Sequence, residues 1–321
     1  MPLPPLECRL LRPFTDIVGL GAPLCHRNLL IIPLQGEGHR RLDYLLAAEA
    51  IQAGSLAVSE VGEGGSVPEL LATNEAERMV LLVDGEELVG AKQNRVLNTT
   101  ILIAGRSTTK IPVSCVEAGR WRRVSHGFTS GSHSSSSLRY LLSRTVSKSY
   151  MTNAQPRSDQ AAVWSEVAKK VQESGTHSPT MAMHDVVERH RKSLDDYVLA
   201  LKYPAGARGV IMAIGGKFAS LDLFDKPATL EGLWPRLVTG YAIDAFIGQT
   251  MEEKAEGLTP QGAAVLLEHV GQIECRSLPS PGVGEDWRFE APDVLGHALV
   301  AEGACVHLSA FPNTNVDQGQ P

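Results

Sequence analysis

No stretch of this 321-residue chain is apolar for long enough to cross a bilayer, so nothing in it reads as a membrane span. Cysteine is scarce: Cys8, Cys25, Cys115, Cys275 and Cys305 are odd in number, scattered, and without a Cys-x-x-Cys pair. That spacing excludes a disulfide framework and a zinc ribbon, and it fits reduced thiols in the cytoplasm. Basic excess is missing too. Lys plus Arg is 30 against 36 Asp plus Glu, a net charge of 30 − 36 = −6, which argues against broad nucleic-acid binding. The proline-rich start, Met1–Leu6, lacks the basic and apolar segments of a signal peptide. Gly-x-Gly-x-x-Gly, a phosphate loop and a Gly-x-Ser-x-Gly elbow do not occur. His184 and Glu188 sit one helical turn apart, but the second histidine of a His-Glu-x-x-His zinc site is missing, so a solvated face is the plainer reading. The sequence therefore names no cofactor and no metal.

What is present is an ordinary globular composition, 43% hydrophobic and 21% charged, enough for a sizeable core. The densest mixture of apolar runs and polar groups is Met79–Trp121. Met79–Val83 runs into Asp84-Gly85 and then Glu86–Val89, the signature of a two-residue hairpin, whose turn needs positive φ at both central residues. Asn98–Ala104 and Thr108–Val116 predict a second hairpin around Gly105-Arg106-Ser107. That register puts Ile101 opposite Ile111, Thr99 opposite Val113, Leu97 opposite Cys115, and Arg95 opposite Glu117, all on one face. The face is apolar at the tip and polar at the base. An Arg95–Glu117 ion pair could pin the register structurally. The functional alternative makes Glu117 a base and Arg95 its catalytic partner, with Gln93, Asn94, Arg120 and Glu87 holding substrate. Gly119 would leave room for a ligand. Cys115, among apolar neighbours, reads as a buried hydrophobe rather than a nucleophile.

Gly-Glu-Glu-Leu-Val-Gly-Ala-Lys-Gln-Asn-Arg-Val-Leu-Asn (85–98) and Ile-Pro-Val-Ser-Cys-Val-Glu-Ala-Gly-Arg-Trp (111–121) resemble a bacterial domain family. It is named for its association with ADP-ribosylglycohydrolases and rhodanese/phosphatase-type proteins. The resemblance extends from about Leu30 to about Phe311, and Ile214–Asp225 resembles a later family motif. The family carries no reaction to transfer. Its associations imply NAD or ADP-ribose metabolism.

Elsewhere the chain alternates clear signals with loops. Leu29–Leu34, Leu56–Val61 and Val67–Leu71 predict strands, and Leu42–Ala53 a short helix. Phe128–Ser137, mostly Ser and Gly, predicts a mobile linker, or a flap bearing His126 and His133. Ser158 before Gln160–Glu173 and Ser178-Pro179 predict two helix starts. Gly209–Ile214, Gly215-Gly216 and Lys217–Leu223 predict a hairpin. Asp222 and Asp225 near its end are a possible cation pair, though a strand exit and helix cap is simpler. Ala228–Gly248 predicts an amphipathic helix, followed by C-terminal strands and a polar tail.

The expected fold is α+β: a strand-rich N-terminal half (about 8–126), a helical and mixed part (about 138–312) and a tail (313–321) in one interlocked domain. Two function classes follow. One is an enzyme or binding protein for a nucleotide-like small molecule bearing phosphate and ribose. The other is a non-catalytic scaffold that binds another protein. They separate on whether the polar hairpin base is open or sealed.

Overall fold

The computed structural model describes residues 8–38, 42–62, 64–248 and 257–314. The proline-rich start and the tail beyond Thr314 lie outside the described residues. The first part of the chain is β1 (Cys8–Leu10), α1 (Arg12–Thr15), β2 (Gly19–Leu20), β3 (Leu24–His26), β4 (Leu29–Gln35), β5 (Tyr44–Leu46) and α2 (Ala47–Gln52). Then come β6 (Leu56–Glu60), β7 (Glu69–Asn74), β8 (Met79–Leu82), β9 (Glu86–Gly90), β10 (Arg95–Leu97), β11 (Ile101–Ile103), β12 (Ser107–Cys115) and β13 (Phe128–His133). Three helices form the middle: α3 (Ser136–Asn153), α4 (Gln160–Glu173) and α5 (Met183–Ala200). The chain continues with β14 (Ala207–Ile214), β15 (Lys217–Phe224), α6 (Pro227–Ile247), α7 (Pro260–Gln272), β16 (Glu274–Pro279), β17 (Glu285–Glu290), β18 (Val294–Ala301) and β19 (Ala304–Pro312). The fold is α+β, with a strand-rich first half, a helical middle and closing strands, as expected.

The large sheet runs β1-β16-β17-β18-β19-β15-β14-β4-β2, with β3 also on β4. N-terminal strands thus sit beside C-terminal ones. A second sheet runs β13-β9-β10-β12-β7-β6, and a third β11-β8-β5. Local signals place several elements. Gly215 and Gly216 both have positive φ (56° and 82°), and Ile214 pairs with Lys217, so this is the expected two-residue hairpin. Asp159, one residue after Ser158, caps α4 by accepting from the Ala161 and Ala162 amides. Ser178 Oγ accepts from the Ala182 amide just before α5. α6 is buried along most of its length, including Leu230, Leu233, Leu237, Val238 and Tyr241, and lies in the main core. A separate core packs α1 and α7 against the other side of the large sheet.

Several expectations needed correction. Leu42–Ala53 opens as strand β5 and is helical only over α2, and the helix expected from Ser178-Pro179 begins at Met183. Asp84-Gly85 is a turn, with Gly85 at φ 83°, but β8 and β9 are not hairpin partners. They leave the turn into different sheets, because Asp84 is drawn to Arg139 and the Glu86 side chain accepts from the Val83 amide. The second hairpin is also displaced. Ile101–Ile103 pairs with β8 and not with β12, so β10 and β12 meet two residues out of the expected register: Arg95 opposite Cys115 and Leu97 opposite Val113. The parity survives, so the residues keep their face. Finally, Phe128–Ser137 is not a loose linker. Phe128–His133 pairs with β9, the Ser134 amide donates to Gly85 O at 2.8 Å, and Ser135 caps α3. The small residues let α6 approach: a Cβ on Gly240 would lie 2.6 Å from Ser134 O.

Candidate ligand cleft and the buried network beneath it

Polar residues at alternate positions of buried strands must find partners, since an unpaired buried charge is costly. Here Asp222 on β15, Ser309 on β19, His297 on β18 and Arg288 on β17 lie opposite one another in a row across the large sheet. α3 lies over this row and supplies Arg139. Its Nη1 and Nη2 donate to Asp222 at 2.9 and 2.6 Å, its Nε to Asp84 at 3.0 Å, and Nη2 also reaches Ser309 at 2.8 Å. His307 Nε2 lies 3.0 Å from Asp222, Thr100 Oγ1 lies 2.7 Å from His307 Nδ1, and the Tyr241 hydroxyl donates to Asp222. Every member is at most 2% exposed. Burial alone would raise Asp84 and Asp222, but the Arg139 charge overcomes it and holds both well below the usual carboxylate range. The same two carboxylates lift Arg139, against burial, well above its ordinary value. The network is closed to solvent and ties β8, α3, α6 and the large sheet together.

From this anchor the chain runs outward. Asp84 is gripped by Arg139, and Glu87 lies three residues on. Between them the close turn leaves no room for a side chain at Gly85, where a Cβ would meet Arg139 at 2.8 Å and His133 at 2.9 Å. His133 lies opposite Glu86 across β13 and β9, and burial followed by the Arg139 charge pushes its imidazole down to about 3. Burial pushes Glu86 up to about 7. Glu87, on the other face of β9, is 3% exposed and lies behind Ser132 and His184, which line a cleft between β13, α5 and α6. The cleft is about 330 Å³ and is lined by Ser130, Ser132, His184, Glu188, Arg191 and Arg236, among others.

Glu87 Oε2 lies 3.3 Å from His184 Nδ1 and accepts from Ser132 Oγ at 3.2 Å, while its Oε1 has no hydrogen-bond partner. The hydrogen bond to Glu87 raises His184 above its ordinary value, against the opposing effect of burial. It also orients the ring, with Nε2 3.7 Å from Glu188 at the cleft wall. Gly131 makes the arrangement possible: a Cβ there would meet Glu87 Oε2 at 2.8 Å. Arg236 on α6 donates to Ser130 Oγ at 2.7 Å, and Arg191 pairs with Glu188. A carboxylate-oriented imidazole beside two guanidiniums can exchange a proton and hold an anion.

The residues expected from sequence divide. Asn94, Glu117 and Arg120 come together as a clasp. Glu117 accepts from Arg120 Nε (2.8 Å) and Nη2 (2.6 Å), the Asn94 amide (3.1 Å) and Thr180 Oγ1 (2.9 Å). Arg120 also donates to Ala91 O and Asn94 Oδ1. The clasp outweighs burial and lowers the Glu117 carboxyl below its ordinary value. Glu117 pairs with Arg120 and not with Arg95, because the register is two residues shorter than expected. Gly119 admits not a ligand but the Thr180 backbone, whose carbonyl accepts from its amide at 2.8 Å. Gln93 and Arg95 bond to each other. Arg95 pairs with Leu88 and Val96 with Glu87, so Arg95 and Glu87 face opposite sides of the sheet. Cys115 is buried, and burial pushes its thiol up to about 11. Asp222 and Asp225 do not share a cation, since Asp225 accepts from Tyr44 and Thr229. Among the described residues no cluster of His, Cys, Asp and Glu could hold a metal.

The family described as the ARG and Rhodanese-Phosphatase-superfamily-associated Protein domain, ARPP-1, matches residues 18–311. The chain belongs to this family. No curated protein and no solved structure matches. The match to ARPP-1 spans both sheets of the strand-rich half, the helical middle and the closing strands. Among the described residues, no helix is long and apolar enough to cross a membrane.

In this ARPP-1 chain the sequence marks Glu87 but not its partners. His184 lies 97 residues away and Arg236 on another helix. The available signal was the pair Glu86-Glu87 in an otherwise apolar strand, which requires a polar partner on each face. The buried network had a signal as well: Asp222, His297, His307 and Ser309 are polar residues within apolar strand runs, the last two at strand spacing.

Proposed function

We propose that this ARPP-1 domain binds, and with His184 acts on, a small molecule bearing phosphate and ribose, of the NAD or ADP-ribose class. The observation that carries the reading is the buried Glu87 carboxylate holding Nδ1 of His184, whose ring lines an open cleft. Arg236 and Arg191 suit phosphate oxygens, because guanidinium forks match them. Ser130 and Ser132 suit ribose hydroxyls. His184 Nε2 is the site of proton exchange with a ligand hydroxyl or water, and Glu87 is its positioning residue. The family's association with ADP-ribosylglycohydrolase and rhodanese-phosphatase proteins supports the same ligand class.

A second reading, a non-catalytic scaffold, is favoured by the Glu117–Arg120 clasp, whose polar groups are satisfied within the chain. A thermal-shift series separates the two. ADP-ribose at 100 times its dissociation constant should stabilise the fold by about 2.7 kcal/mol. The shift should fall in Arg236→Ala. No shift with ADP-ribose, ADP or ribose 5-phosphate would favour the scaffold.

A further inference from the structure

Arg95 is fully buried, yet its Nε and Nη2 have no hydrogen-bond partner. Nη1 alone is used, donating to Gln93 O at 3.1 Å and Gln93 Oε1 at 3.2 Å. Glu60 is the nearest carboxylate, but its Oε1 stands 3.8 Å from Nη2, beyond hydrogen-bond reach, and its Oε2 is also without a partner. Leaving two guanidinium donors desolvated and unused costs free energy, more than for neutral groups. Nε and Nη2 form one edge of the guanidinium, the fork that takes two oxygens of an oxyanion side by side.

The Trp121 ring packs against this guanidinium. The Trp121 ring lies 5.6 Å from Arg95 Cζ and also 5.6 Å from Lys92 Nζ, and Trp121 is 49% exposed. Its loop continues with exposed Arg122, Arg123 and His126. The facing charges are Arg95, Lys92 and Arg120 against Glu60 and Glu117, an excess of one positive charge. At 49% exposed, the Trp121 ring has solvent on one side and the two cations on the other.

We infer that the Nε/Nη2 edge of Arg95, beside Trp121, is a second site for a phosphate group, either free or carried by a nucleotide whose base stacks on Trp121. The two donors take two phosphate oxygens, Lys92 supplies a further charge, and the indole swings to admit the group. Base–aromatic stacking of this kind tolerates any base. The site lies on the face of β9 and β10 opposite Glu87, so it is independent of the His184 cleft.

Nitrogen-15 NMR of the full chain tests this, with the Trp121 indole signal identified by its loss in Trp121→Phe. Inorganic phosphate and AMP should each shift the Trp121 indole and an arginine Nε–H signal saturably, AMP more strongly. Adenosine should not shift the arginine signal. Both shifts should persist in Arg236→Ala and disappear in the charge-balanced Arg95→Met/Glu60→Gln double variant. Should that double variant fail to fold, Arg95→Lys, which keeps the charge without the fork, should weaken phosphate at least tenfold. Absence of saturable shifts in the wild type, or shifts unchanged in whichever Arg95 variant folds, overturns the proposal.

Discussion

Arg139 and Asp222 join α3 to β15 through two parallel hydrogen bonds of 2.9 and 2.6 Å, with neither side chain exposed. The same guanidinium turns its other edge to Asp84, three residues before Glu87. The turn that leads into Glu87 is therefore anchored by a charge network that never meets solvent.

Arg139→Met should leave two buried carboxylates without their cation. We expect a loss of about 3–5 kcal/mol at pH 8, as for other broken buried pairs. The penalty should shrink as pH falls, because Asp84 and Asp222, freed from Arg139, can take up protons. Denaturant melts at pH 8 and pH 5.5 check this. An equal loss at both values would contradict it.

Glu86 gives the opposite sign. Its folded value is raised from 4.5 to about 7, so its contribution is intact below 4.5 and lost as pH rises through 7. At 1.36 kcal/mol per decade the full effect is about 3 kcal/mol. Glu86→Gln keeps an acceptor for the Val83 amide and cannot ionise. It should match the wild type near pH 4.5 and become the more stable protein by pH 8, read by thermal melts. A constant difference across that range would remove Glu86 as the cause.

Glu117→Gln should lower stability by about 3–5 kcal/mol, since it strips the countercharge from a clasp that is about 90% buried or more. Ligand affinity of the folded protein should be unchanged. A variant with wild-type melting but no ligand binding would instead move the site to Glu117.

How much of this was legible follows from distance along the chain. Gly215-Gly216 was readable because a two-residue turn is specified locally. The slip at Arg95 was not, because Ile101–Ile103 had an unseen competitor in β8, so counting back from Gly105 passed through residues that leave the sheet. The serine run Ser134–Ser137 reads as solvated by composition, yet Gly85 O accepts from the Ser134 amide, Asp244 from the Ser137 amide, and Ser135 Oγ accepts from the Leu138 amide. The network was hidden for the same reason. Ser309 and Asp84 bond across 225 residues, and no local pattern pairs them.

The most direct test of the ligand cleft is calorimetric titration of ADP-ribose into the wild type, His184→Ala, Arg236→Ala and Glu117→Gln, each at a temperature where it is folded. We predict a saturable isotherm in the wild type and in Glu117→Gln, whose cleft component is at least tenfold weaker in Arg236→Ala and His184→Ala while any component at Arg95 and Trp121 is unchanged. An isotherm unchanged in Arg236→Ala and His184→Ala, or no binding by the wild type, would contradict the assignment of the Glu87–His184 cleft.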